Sequence, residues 1–205
     1  MKLFKEIGED TLEIECSPTL QAPAEALLKV LSDLNQKGPT LQDGSKILYG
    51  WVKLKLNKID NLLKVCEPDF LNDSSIDYIP QVNQTLQVLE DQGRLIHQLG
   101  CHPKATLYSD TIIVAKSCLS EEKIYLERQK PSKEGDSGWY IGSTERKINT
   151  DSDLDVIQAY QLLKLRPKLM QVLLLPVNYL VVFSGNLLEV ILDDNNIQVW
   201  PFSCS

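Results

Sequence analysis

Two histidines, His97 and His102, flank Cys101, and nowhere else in the sequence do Cys and His chemistry come so close together. A zinc site needs four ligands, usually at paired spacing, and Cys16, Cys66, Cys118 and Cys204 supply no Cys-x-x-Cys pair. A Cys101–His102 nucleophile and base fails on geometry, because sequence neighbours seldom face each other and no oxyanion loop accompanies them. His97 reads more simply as a favourable charge near the C-terminal end of a helix. Asp151, Asp153 and Asp155 form a carboxylate cluster, but their spacing suits a helix N-terminus, where anions are stabilised, better than an acid–base pair. Asp193-Asp194 suits a hairpin turn, since calcium would require more oxygen ligands at loop spacing. Dinucleotide-binding, Walker, nucleophile-elbow and His-Glu-x-x-His motifs are absent from the sequence. Catalytic residues, cofactors and metals are therefore not expected.

The elements that position these residues follow from periodicity and turn chemistry. Residues 11–15 alternate as a short edge strand, and Pro23 opens a helix that ends near Lys37-Gly38-Pro39. Residues 47–56 read as one strand with lysines on its wet face, and residues 62–66 as its hairpin partner. Pro80 is expected to start a second helix, with Val82, Leu86, Leu89, Leu95, Ile96 and Leu99 at helical spacing and Gly100 as its stop. Strands at 111–115 and 123–127 are expected to lie side by side and antiparallel with the aromatic strand of the 134–142 stretch. Asp151-Ser152-Asp153 offers N-caps for a helix from Leu154 to about Leu165, with a further helical segment after Pro167. A meander of strands at about 179–183, 187–192 and 197–200 closes the chain. Strands interrupted by a few helices, without a βαβ rhythm, point to an α+β fold built on antiparallel sheets. The Gly100–Ser109 region is the best boundary, giving an N-terminal subdomain of residues 1–105 and a C-terminal domain of 106–205 that are expected to share a core.

The chain has 205 residues, 21 basic and 28 acidic side chains and a formal charge of -7. Surplus negative charge disfavours nonspecific binding to nucleic acid or anionic lipid, and a basic protein is the easier partner. Five widely spaced cysteines fit a reducing compartment. The start, Met1-Lys2-Leu3-Phe4-Lys5-Glu6, lacks the apolar stretch of a signal peptide, and the apolar runs at 172–177 and 180–183 are too short to span a bilayer. A cytoplasmic location is expected.

Glu134-Gly135-Asp136-Ser137-Gly138-Trp139-Tyr140-Ile141-Gly142 couples turn-forming residues directly to an aromatic strand. Asp136 and Ser137 are expected to close the turn through side-chain to backbone bonds, and the acidic loop is a natural partner surface. Trp51, Trp139 and Trp200 are more simply core or interface anchors than a ligand-stacking box. This stretch, with Ala115-Lys116-Ser117 and Tyr125-Leu126-Glu127-Arg128 before it and Leu175-Pro176-Val177 after it, resembles the Imm33 family of bacterial polymorphic-toxin immunity proteins. Tyr49-Gly50-Trp51-Val52, Glu67-Pro68-Asp69-Phe70 and residues 82–86 extend the similarity to longer members. Where such proteins often have glycine after Pro176-Val177, this chain has Asn178, which also tolerates positive φ.

The resemblance implies a non-catalytic protein that binds and neutralises a cognate toxin or effector, often one delivered by contact-dependent or type VI secretion. Glu134, Asp136, Trp139 and Tyr140 are the expected partner contacts, with Asp151 and Asp153 as rim charges, in a monomer or homodimer. The alternatives are a regulatory or small-ligand module with Trp51 and Trp139 lining a pocket, and, less readily, a hydrolase.

Overall fold

The computed structural model describes residues 1–72, 77–145 and 150–201, with the side chain of Asp151 outside that set. Cys204 also lies outside the described residues. The fold is α+β, and the described residues form 13 strands in a six-stranded and a seven-stranded sheet. Contacts divide the chain into two compact units, Met1–Asp91 and Gln92–Ser205.

The first unit holds β1 (Lys2–Ile7), β2 (Asp10–Glu15), helix α1 (Gln21–Lys37), β3 (Lys46–Tyr49), β4 (Val52–Ile59), β5 (Leu62–Pro68) and β6 (Tyr78–Ile79). Helix α2 (Asn83–Leu99) follows. Helix α1 buries Ala24, Leu27, Leu28 and Leu31, a spacing that lines one face. β1 carries no amphipathic signal because nearly all of it is solvent-facing, and it is placed by antiparallel pairing with β2. The expected single strand at 47–56 is a hairpin instead, because Gly50 takes φ +60° and turns the chain between paired Tyr49 and Val52. Asp60 and Asn61, both at positive φ, close the next hairpin between Ile59 and Leu62.

Helix α2 starts three residues after Pro80, since Tyr78 and Ile79 are held as β6 against β5. Its first turn has no acidic residue of its own. Glu67 of β5, with 0% exposure, supplies the carboxylate, accepting from the backbone N–H of Gln84 (3.3 Å) and Thr85 (2.8 Å) and from the Thr85 hydroxyl (2.7 Å).

The second unit holds β7 (Thr111–Ala115), β8 (Lys123–Arg128), β9 (Asp136–Ser143), β10 (Leu154–Gln158), helix α3 (Leu162–Leu165), β11 (Leu180–Ser184), β12 (Leu187–Leu192) and β13 (Gln198–Trp200). Their order is β10-β7-β9-β8-β11-β12-β13. The closing meander stands as expected. Two expectations are corrected. β7 runs parallel to β9 rather than antiparallel, because β8 and β9 pair as a hairpin that returns β9 to β7's direction. Residues 154–158 form a strand on β7, not a helix, since backbone pairing there outweighs the capping signal of the preceding aspartates. Helical structure there begins only at Ala159, as a 3-10 turn at Ala159–Gln161 that runs into α3, followed by a 3-10 segment at Pro167–Val172. Ile112, Val114, Ile124, Leu126, Trp139, Ile141, Val181 and Phe183 are buried on one face of this sheet, and Leu162, Leu169, Val172, Leu173 and Leu175 are buried in the segment after β10.

Candidate functional site

Trp139-Tyr140-Ile141-Gly142 alternates across β9, so Trp139 and Ile141 point into the core and Tyr140 and Gly142 lie on the opposite face. Trp139 and Ile141 are 1% and 0% exposed. The turn ahead of them is stitched by its own side chains. The Asp136 carboxylate accepts from Ser132 N–H and hydroxyl (both 2.7 Å) and from Gly138 N–H (2.8 Å). Those backbone bonds hold its pKa below the usual carboxylate value. The Ser137 hydroxyl donates to Thr111 O (2.6 Å) and accepts from Trp139 N–H (3.1 Å). Gly138 has φ +75°, and a Cβ there would stand 2.1 Å from Gln129 O, so glycine is required.

Arg128, at the inner end of β8, fixes this turn to the rest of the unit. It is 1% exposed and its guanidinium makes six hydrogen bonds. Five go to the main-chain oxygens of Ser137, Lys104, Leu173, Leu175 and Ala105, and one to the Thr106 hydroxyl. The same cation lies 5.5 Å from the Trp139 ring centroid. Burial draws its pKa down to about 10 against the opposing pull of Asp110, and it stays charged at neutral pH. Trp139 Nε1 adds a bond to Leu173 O (3.3 Å). Three segments distant in sequence, at 104–106, 128–139 and 173–175, are thereby tied through one side chain.

The outer face carries apolar and aromatic side chains with Lys123 and Glu127 among them. Cross-strand partners share a face, and the register places Val156, Ile113, Tyr140, Glu127 and Leu180 in one row across five strands. Val156 is 66% and Ile113 41% exposed. The rings of Tyr125 and Tyr140, with centroids 5.8 Å apart, lie over Gly142, where a Cβ would come within 2.6 Å of one ring and 2.7 Å of the other. Partial burial, with Tyr125 beside it, pushes the Tyr140 phenol up to about 12.

A family model described as the Imm33-like domain matches residues 91–194, about half of the chain. The chain belongs to the Imm33-like family. No curated protein and no solved structure gives a match. The matched Imm33-like region includes β7 to β12, the Arg128 network and the whole outer row.

The Imm33-like domain does not gather all the expected contact residues. Glu134 is exposed beside the Thr111 end of β7, and Asp136 is half-buried there. Asp153 sits at the opposite end, its carbonyl accepting from Lys116 N–H (2.9 Å) and its carboxylate from Thr150. The side chain of Asp151 lies outside the described residues. Roughly 13 Å of strand separates the two ends, at about 3.3 Å per residue, and Tyr140 lies between them. Trp139 is not on the surface, because alternation on β9 turns it inward. Trp51 is likewise buried, stacked on Phe70 at 5.0 Å, so neither indole lines an open pocket.

Cys101 has its thiol pKa raised by burial, the opposite of an activated thiolate. His97 occupies the last turn of α2 as expected, and His102 is exposed. Sequence reasoning missed Arg128, Ile113 and Val156. Arg128 was detectable as a charge at an inward position, two residues after Ile124 and Leu126 in the same alternation.

Proposed function

We propose that this protein is an immunity protein that binds a cognate bacterial toxin or effector and neutralises it by covering a surface the toxin needs, with no reaction of its own. It serves a polymorphic toxin system, of the kind delivered by type VI or contact-dependent secretion, and acts in the cytoplasm. Membership of the Imm33-like family supports the class of partner. The observation that carries the binding mode is the outward row of Val156, Ile113 and Tyr140 on a sheet whose shape is set from below by Arg128. Aromatic and aliphatic groups at the centre of a rigid face, with carboxylates at either end, suit a preformed protein-binding surface. Tyr140 is the anchor, Ile113 and Val156 widen the patch, and Glu134, Asp136, Asp151 and Asp153 are rim charges for a basic partner. Trp139 serves from below, by holding the loop. Among the described residues no helix is long and apolar enough to cross a membrane.

Co-expression with the toxin encoded beside the gene tests the reading by growth rescue and co-purification. Wild type restores growth and forms a stable complex. Ile113→Asp, which changes a partly exposed position, weakens that complex by about 2 kcal/mol, near thirtyfold, with an unchanged melting temperature. Equal killing with and without wild type, and no complex, would sink the proposal for that pair.

A further inference from the structure

β10 is an edge of the seven-stranded sheet, with no partner strand on its outer side. Lys116 N–H donates to Asp153 O and Ala159 N–H to Asp110 O, both at 2.9 Å, which with the register turns Asp155 and Ile157 toward β7. Leu154, Val156 and Gln158 therefore aim their backbone groups away from the sheet. Gln158 N–H is taken by the Gln161 side chain (2.7 Å) and Leu154 N–H closes the 3-10 turn at Asp151–Asp153, while no described residue bonds the C=O of Leu154 or the N–H and C=O of Val156. Beside this edge, on the face opposite Val156, is a cavity of about 390 Å³ lined by Val114, Ala115, Leu119, Asp155, Ile157 and Leu165. Asp155 is exposed at its mouth and pairs with no cation among the described residues.

The geometry points to β10 as a docking edge for an extended strand of the partner protein, an apolar segment carrying one Lys or Arg. The inference rests on the reading above that the partner is a protein. A strand laid on β10 bonds the main chain of Leu154 and Val156 and sends alternate side chains to either face of the sheet. On the outer face an apolar residue opposite Val156 prolongs the row of Ile113 and Tyr140. On the other face a cation meets Asp155 and an apolar side chain beside Ile157 enters the cavity. Charge selects this occupant over a second copy of the chain. Residues 154–158, Leu-Asp-Val-Ile-Gln, contain no Lys or Arg, so self-pairing through this stretch supplies no cation to Asp155.

The test uses peptides selected on the full-length protein from a random-sequence phage library. Selected peptides are expected to be apolar with one Lys or Arg and to protect the Val156 amide from hydrogen exchange. Val156→Pro removes an outward N–H while leaving the bonds of Asp155 and Ile157 to β7, and binding falls about tenfold or more. Asp155→Lys leaves the edge intact and is expected to reverse the preference, favouring peptides with Glu in place of Lys. No selected peptides, peptides that protect other amides, or binding unaffected by both substitutions would overturn the inference. A dimer of the protein itself that Val156→Pro abolishes would overturn it in favour of self-pairing. If Val156→Pro protects cells from the toxin as well as wild type does, the docking edge fails and the immunity reading survives. If wild type gives no protection while peptides bind at β10, the immunity reading fails and the docking edge stands.

Discussion

Arg128 and Glu67 are the most deeply buried charged side chains among the described residues, and burial shifts their pKa values in opposite directions. Arg128 is satisfied by six acceptors, so shortening it strands several main-chain oxygens at once. An ammonium has three donors on one point and cannot reproduce the planar fork. Arg128→Lys is expected to destabilise the protein by about 3 kcal/mol, read as a lower urea midpoint.

Glu67 is lifted from an ordinary 4.5 to about 7, chiefly by burial, against the bonds from Thr85 and Gln84. The folded state thus holds this proton more tightly than the unfolded chain does. The contribution is fully present below pH 4.5 and is lost as pH rises through about 7. The loss amounts to about 3 kcal/mol. In paired urea titrations, Glu67→Gln should gain about that much relative to wild type between pH 4 and pH 8. An unchanged difference across that range would show that Glu67 titrates normally.

At the scale of elements, the Asp-Ser-Gly turn and β9 were legible because their signals are local. Turn residues bond their own backbone, and an aromatic run alternates without help from elsewhere. Gly138→Ala tests the turn: a Cβ 2.1 Å from a carbonyl at φ +75° must displace backbone. A cost of about 3 kcal/mol or more is expected, with the loss of Asp136's bond to residue 138 visible as faster amide exchange in the loop. Asn178 was also readable, and it does adopt φ +68° while donating its N–H to Arg128 O at 2.6 Å. β10 and β1 were not legible. β10 carries a capping signal for a helix and becomes a strand only because β7 is available, and β1 has no buried stripe to betray it. The parallel pairing of β7 with β9 is likewise a property of the whole sheet and has no local signature.

For the whole molecule, the informative quantities are charge and family. A charge of -7 spread through the chain gives long-range attraction to a basic partner, and such steering is screened by salt. For the proposed complex with a toxin, the association rate is expected to fall about tenfold or more between low ionic strength and 0.5 M salt, while dissociation changes little. Stopped-flow measurements across that series check it, and a salt-independent association rate would show that the carboxylate rim takes no part. The α+β class and the Imm33-like assignment were both accessible from sequence. The outer row was not, because Ile113 and Val156 become neighbours of Tyr140 only through pairings between strands far apart in the chain.

Five of the six partners of Arg128 are peptide oxygens, which every amino acid carries. The fastening is therefore sensitive to the path of the chain and indifferent to most of the letters written along it. Lys104 and Ala105, both exposed, can drift without loosening the knot, provided the guanidinium itself is kept. That arrangement is a frame whose exterior can be rewritten while its fastening stays put.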